Sequence, residues 1–417
     1  MRRKLYLLSG LAAAVFAAVA IPGALGSTSG ATAAPGVTAR TVTIGGTFPI
    51  SGPASLYAPI AKGMEAYFSY INARRARDGS RGVYGRQIIF KVYDDQYNPA
   101  LSVQLTRRLV EQDKVFAVVG GLGTEPQTPV RPYLNQQKVP QLFVSTGATT
   151  WGADHKQYKW TIGWQPDYQS EGSAYGQYLR QNDTNAKVGV LLQNDAYGED
   201  YLRGFKVGLR TGGARIVGEE RFEVTATSVA TQVTKLRAAG ADAFLILATP
   251  RATIQALVTA FRLGWRPKLY VNSVSATDSF LTSAATAAGS KDAVEGAIST
   301  AYLKDPASPR YARDATVLLY KRLMAKFAPG RNANDGLYFY GMAKADTFVQ
   351  TLYRAGKNPT RESVRSAAVN LKFKSPWLIP GSTISSSSAS PFPISIVRLI
   401  RYSNNAFVEF GPLIKTR

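Results

Sequence analysis

From Thr41 onward the apolar positions of this chain follow two alternating rhythms. Short β-branched runs predict strands over 41–48, 87–93, 115–119 and 141–144, and between them apolar residues recur three and four positions apart, which predicts helices over 60–71, 101–110 and 126–137. In the first of these helices Met64, Tyr67, Phe68 and Ile71 share one face. The pattern restarts after Gly163, with helices predicted over 169–181, 201–210, 229–239 and 253–263 and strands over 187–192, 214–222, 243–247 and 269–272. Strand–helix alternation of this kind predicts parallel strands joined by crossover helices, and its restart predicts two α/β units. Three later helices, over 311–327, 337–355 and 360–369, have no strands of their own and are expected to pack on an existing sheet. A serine-rich stretch over 381–390 reads as a loop before a hairpin-like pair at 394–402 and 406–410.

Ahead of this pattern, Arg2, Arg3 and Lys4 precede an apolar run from Leu5 to Ile21 that Ser9 and Gly10 interrupt and Pro22 ends. This predicts an export signal, with Ala24 and Gly26 supplying the small residues for cleavage before Ser27, and a flexible leader after it. The run falls short of the roughly 20 residues that span a bilayer, so an uncleaved anchor is the weaker alternative. The 417 residues include no cysteine, which excludes disulfides, cysteine-based metal sites and a lipid-bearing cysteine. The expected location is the periplasm or cell envelope. So long a chain also exceeds one ordinary core and suits two domains.

The net charge of +23 raises nucleic acid as a partner. Export argues against it, and the basic residues form short groups, such as Arg74, Arg75 and Arg77, with no aromatic-interleaved stripe. Solvated helix faces account for them, and attraction to anionic envelope surfaces is a looser alternative. No nucleic-acid partner is expected.

Several short motifs, in order, resemble the type I periplasmic binding proteins of the leucine/isoleucine/valine-binding group. They are Ile44, Gly45 and Gly46 with Ser51, Gly52 and Pro53; Ile71, Asn72 and Ala73 with Gly85 and Arg86; Tyr93, Asp94 and Asp95 with Asn98, Pro99 and Ala100; Val119, Gly120 and Gly121; Ser145 to Thr149; and Asp195 to Asp200. The resemblance implies two Rossmann-like lobes, parallel-sheet α/β sandwiches joined by three crossovers. These are expected near 163–166, 299–302 and 381–390. The chain then divides into a signal peptide (1–26), a leader (27–39), lobe 1 (40–164 and 300–382) and lobe 2 (165–299 and 383–417). It also implies a substrate-binding protein that closes on an amino acid, amide or small organic acid and passes it to the membrane subunits of an ABC importer. A monomer without cofactor or metal is expected.

In open α/β sheets ligands bind beyond the carboxyl ends of the strands. The strand ends, together with what the resemblance implies, give as expected ligand-binding residues Tyr57, Thr124, Ser145, Gly147, Thr149, Tyr197, Thr249 and Ser273. Thr124, before Pro126, can cap a helix, turn its hydroxyl to a ligand, or both. Gly147 leaves backbone N–H groups open to a carboxylate. Tyr57 and Tyr197 correspond to family positions that pack on the ligand from opposite lobes. Trp151 walls the cleft or covers lobe 1. Asp335 reads as a helix cap. Family members that bind amino acids carry an acid for the ligand ammonium near Asn272 and Ser273, where this chain has none. Asp278, Glu199 or another acid takes that place, or the ligand lacks an ammonium.

Two other functions compete with this one. A hydrolase of the Ser-His-Asp kind would depend on His155, the sole histidine, which reads as exposed loop beside Asp154 and Lys156. A ligand-binding partner of a membrane receptor shares the fold. The chain shows no fused signalling segment, which favours transport.

Overall fold

A computed structural model describes residues 34–75, 79–210 and 213–416. The predicted signal peptide lies outside them. The leader enters them at Ala34, and its end is not free: Val37 is buried and bridges Val42, and Thr43 N–H donates to the Gly36 carbonyl at 2.7 Å. Residues 34–39 thus belong to the first lobe, correcting the leader boundary.

The first sheet is built from β1 (Thr41–Phe48), β2 (Gln87–Asp94), β3 (Val118–Val119), β4 (Gln141–Val144) and β5 (Thr161–Gly163), parallel throughout in the order β2-β1-β3-β4-β5. Between them run α1 (Pro59–Ala73), α2 (Pro99–Glu111), α3 (Thr124–Gln127), α4 (Arg131–Gln136) and α5 (Thr150–Ala153). The single helix predicted over 126–137 is two. Pro132 lacks an N–H and its ring opposes the carbonyl of Thr128, so the helix must restart there.

The second sheet starts after α6 (Tyr168–Asn182) with β6 (Lys187–Gln193), α7 (Ala196–Leu209), β7 (Arg215–Phe222), α8 (Ala230–Ala238), β8 (Ala243–Leu247), α9 (Pro250–Arg262), β9 (Lys268–Val271), α10 (Asp278–Ala288) and β10 (Ile298–Ala301). Helices α6 and α7 approach so closely that a Cβ on Gly172 or Gly204 would collide with the backbone carbonyl of Tyr201 or Gln169, respectively. The sequence pattern gave no sign of α10 and β10. The first is built largely from Ala, Ser and Thr, and the second is only four residues, two of them hydroxylated.

The chain then returns to the first lobe. There α11 (Ala315–Phe327), α12 (Gly336–Ala355) and α13 (Arg361–Val369) share one apolar core with β1, α1 and β4. Helix α12 is buried around most of its surface. Two short strands, β11 (Lys372–Phe373) and β12 (Ile384–Ser385), pair with each other. Finally β13 (Ile396–Ser403) and β14 (Ala406–Lys415) form a hairpin whose first strand lies antiparallel beside β10, giving the order β14-β13-β10-β9-β8-β6-β7. Residues 383–394, assigned from sequence to lobe 2, stay with lobe 1. Ile384 and Ile394 are buried in its core and bridge each other, and Ser386 N–H donates to the Leu371 carbonyl at 2.8 Å. The third passage between the lobes therefore falls just before Ile396. No helix among the described residues is long and apolar enough to cross a membrane.

Candidate functional site

A cavity of about 1180 Å³, its mouth included, lies between the two sheets. It is walled by Tyr57, Tyr97, Thr124 and Ser145 from lobe 1, Tyr197, Thr249 and Ser273 from lobe 2, and Gln165, Tyr168, Tyr302 and Tyr340 beside the crossings. Six of the eight expected residues thus meet at one place.

Each wall residue is held by its own element. Thr124 is buried, and its hydroxyl lies 2.7 Å from that of Thr146. The cap of α3 is Gly123, at φ +103°, so of the two roles open to Thr124 capping is not the one it takes. Ser145 donates to the Gly120 carbonyl at 3.2 Å. Thr249 directs its hydroxyl to Gln193 at 3.1 Å. Tyr197 stands in the first turn of α7, which begins five residues before its predicted start because Asp195 caps it through the Gly198 N–H at 3.0 Å. Its ring packs edge-on against Tyr168 and Tyr201, centroids 5.4 and 5.5 Å away, and its hydroxyl accepts from Asn272. Asp335 caps α12 as expected, accepting from Leu337 N–H at 2.9 Å.

Two expected residues stand elsewhere. Gly147 carries no side chain because the first crossing passes over it: Tyr168 N–H donates to its carbonyl at 2.7 Å, and a Cβ would strike the Pro166 carbonyl. Thr149 ties the lobes together instead of facing the cavity. Its N–H donates to Asp200 at 2.6 Å and its hydroxyl to Asp167. Trp151 is buried outside the cavity wall, with the Arg131 guanidinium 4.7 Å from its ring, in a core it shares with Tyr168 and Tyr175 of α6. His155 is only 8 % exposed, correcting the expected open loop. Burial and the nearby Arg365 charge hold its imidazole below the usual value, and it is remote from the cavity wall.

The lobes touch across the cleft at further points. Tyr57 donates to the Val274 carbonyl at 3.1 Å, and Glu125 of lobe 1 accepts from Ala196 N–H at 3.2 Å, at the start of α7 in lobe 2. A single hydrogen bond is worth about 0.5–1.5 kcal/mol. Tyr57→Phe is thus expected to shift the balance toward an open form and weaken ligand affinity by about 3–10-fold. Small-angle scattering and titration calorimetry would check this, and unchanged dimensions together with unchanged affinity would remove Tyr57 from closure.

An acid does stand beside Ser273, on another element and outside the residues that wall the cavity. Glu171 of α6 is buried and accepts from the N–H and hydroxyl of Ser273, both at 2.8 Å, and from Tyr175 and Tyr201 at 2.5 and 2.9 Å. Burial pushes its carboxyl up despite these donors. Glu199 pairs with Arg221 at the surface. Asp278 and Asp305 both line the cavity, and burial and their mutual repulsion push the Asp278 carboxyl up, while burial raises Asp305. The folded protein then holds more protons here than the unfolded chain, so this pair makes stability fall as pH rises from the ordinary aspartate range of about 4 toward neutrality. Asp278→Asn should flatten that decline, read as melting temperature against pH. An unaltered slope would refute the coupling.

Sequence reasoning missed Tyr97, Tyr168, Tyr302 and Tyr340. Tyr97 has φ +60° in a loop, Tyr302 lies just past the end of β10, and Tyr168 and Tyr340 lie in helices whose apolar spacing marks them only as core.

Comparison with known proteins bears on this architecture. The chain is 27% identical over 203 residues to the Leu/Ile/Val-binding protein homolog 3 of Brucella melitensis biotype 1, covering 48% of this chain and 52% of that one, so it spans about half the length of that relative. It is 24% identical over 278 residues to the amino acid binding protein of Pseudomonas aeruginosa, covering 66% and 70%. Among solved structures, a fatty acid ABC transporter substrate-binding protein from Thermomonospora curvata superposes with TM-score 0.77 at 20% identity, covering 92% of this chain and 94% of that one. A branched chain amino acid ABC transporter protein from Thermus thermophilus, with bound valine, gives 0.77 at 19% identity, covering 90% and 97%. These likenesses show the two-lobed type I fold. Residues 41–392 match the family model described as periplasmic binding protein, and the chain belongs to that family.

Proposed function

We propose that this chain is an exported solute-binding protein that closes its two lobes on an amino acid, amide or small organic acid and delivers it to the membrane subunits of an ABC importer. The observation that carries the reading is one cavity walled by side chains of both lobes, with the crossings beside it. A ligand touching both walls binds the closed form better than the open one and so shifts the population toward closure. The importer then recognises the closed surface.

The test is mass spectrometry of small molecules released from the purified, denatured protein, followed by thermal shift with amino acids, amides, and aliphatic and aromatic acids. A ligand that binds only the folded state raises the melting temperature. Recovery of the compound unchanged after incubation supports binding without turnover. No shift with any class at saturation would sink the reading.

A further inference from the structure

Helix α12 buries a lysine that faces no carboxylate among the described residues. Lys344 is 0 % exposed and donates to the Gly120 carbonyl at 2.8 Å and to Ser145 Oγ. The rings of Phe48 from β1 and Tyr340 from α12 lie 5.5 and 5.1 Å from its Nζ, and Met64 of α1 and the Lys344 chain both fill the space over Gly120. The groups facing the amine are therefore a carbonyl, a serine hydroxyl, a phenol and apolar atoms. Asp346, the acid nearest it along α12, is held by Tyr67 and Trp377 at 2.7 and 3.2 Å. Among the described residues no carboxylate faces Lys344. Burial alone pushes it well below the ordinary lysine value.

A methionine would fill this space without the cost of a buried ammonium. The amine has a use one atom away, at the cavity. Ser145 lines the cavity and accepts from Lys344, so its own proton is available to an acceptor, and the Gly120 carbonyl at 3.2 Å is a long partner for it. Tyr340 lines the same end, its buried hydroxyl beside that of Ser145. A serine backed by an amine, with a phenol beside it, forms a donor set suited to an anionic oxygen.

We propose that Lys344 is the specificity-determining charge of the cavity: acting through Ser145, it favours the carboxylate of an organic acid over its neutral amide and takes up one proton as the anion enters. The proton comes from solvent, turning amine and carboxylate into an ammonium–carboxylate pair bridged by the serine hydroxyl. This rests on the small-molecule binding reading above.

The experiment is titration calorimetry of the full chain with isocaproate, octanoate and benzoate and with their primary amides, each in phosphate and in Tris, whose ionisation heats differ. Acids are expected to bind at least about tenfold more tightly than amides, with close to one proton absorbed per acid and none per amide. In Lys344→Met the acid-over-amide ratio should fall to near unity and proton uptake should vanish. Equal binding of acid and amide by the wild type, or a Lys344→Met protein that keeps the ratio, overturns the proposal. Should that variant not fold, the wild-type proton count and Ser145→Ala decide: no proton absorbed, or a ratio that Ser145→Ala leaves intact, overturns it. If these acids fail to bind while another class of solute raises the melting temperature, only the role of Lys344 falls. If nothing binds, both readings fall.

Discussion

Glu171→Ala is expected to lower folding stability by about 3–5 kcal/mol, because it strips the acceptor from buried donors that each cost about 1–3 kcal/mol when unpaired. Those donors are the hydroxyls of Tyr175 and Tyr201 and the N–H and hydroxyl of Ser273, all within 2.9 Å of the carboxylate. The loss should appear as a lower urea midpoint at constant slope. Glu171→Gln keeps one acceptor oxygen but turns an NH2 toward groups that must donate, so an intermediate loss is expected. An alanine variant with the wild-type midpoint would show that water replaces the carboxylate at little cost. Because Ser273 lines the cavity, the same substitutions should also loosen ligand binding.

Gly204→Val should be comparably damaging for a different reason. Gly204 of α7 faces the Gln169 carbonyl of α6, and Gly172 and Gly208 make matching contacts with the carbonyls of Tyr201 and Ser173. Backbone cannot swing aside as a side chain can, so the two helices must separate along their length. Overpacking commonly costs about 1–3 kcal/mol, and with backbone on the other side a loss of about 3 kcal/mol or more is expected. Gly336→Ala is the matched control, since nothing lies within 4 Å of a Cβ there and its φ is ordinary. Equal midpoints for the two variants would mean that the helix pair tolerates spreading.

How much of this was legible beforehand depends on the range of the forces involved. Strands such as Thr41–Phe48 and Ala243–Leu247 announce themselves through continuous apolar or β-branched runs, and strand ends point to Thr124, Ser145, Thr249 and Ser273. What failed depends on partners distant in sequence. Lys344 and Glu171 sit within helices, where charge spacing suggests a solvated face, and only the packing of α12 on the first sheet and of α6 on α7 buries them. Gly147 and Thr149 were misplaced because the crossing through Pro166 covers the first and Asp200, on a helix of the other lobe, captures the second. The serine-rich stretch looked like a passage between lobes, yet Ser386 is pinned by Leu371 and Ala368.

The return of the chain also governs how it can fold. The first core needs α12 against α1, and the second sheet needs β13 beside β10, with β14, the last strand of the chain, at its edge. Neither core closes over a local stretch, so the entropy of long loop closure must be met before the contacts that offset it exist. A growing chain that has reached only α10 has neither the helices that cover its first sheet nor the hairpin that seals its second. Apolar strand faces are then exposed together in both halves until α12 and the β13–β14 hairpin are in place.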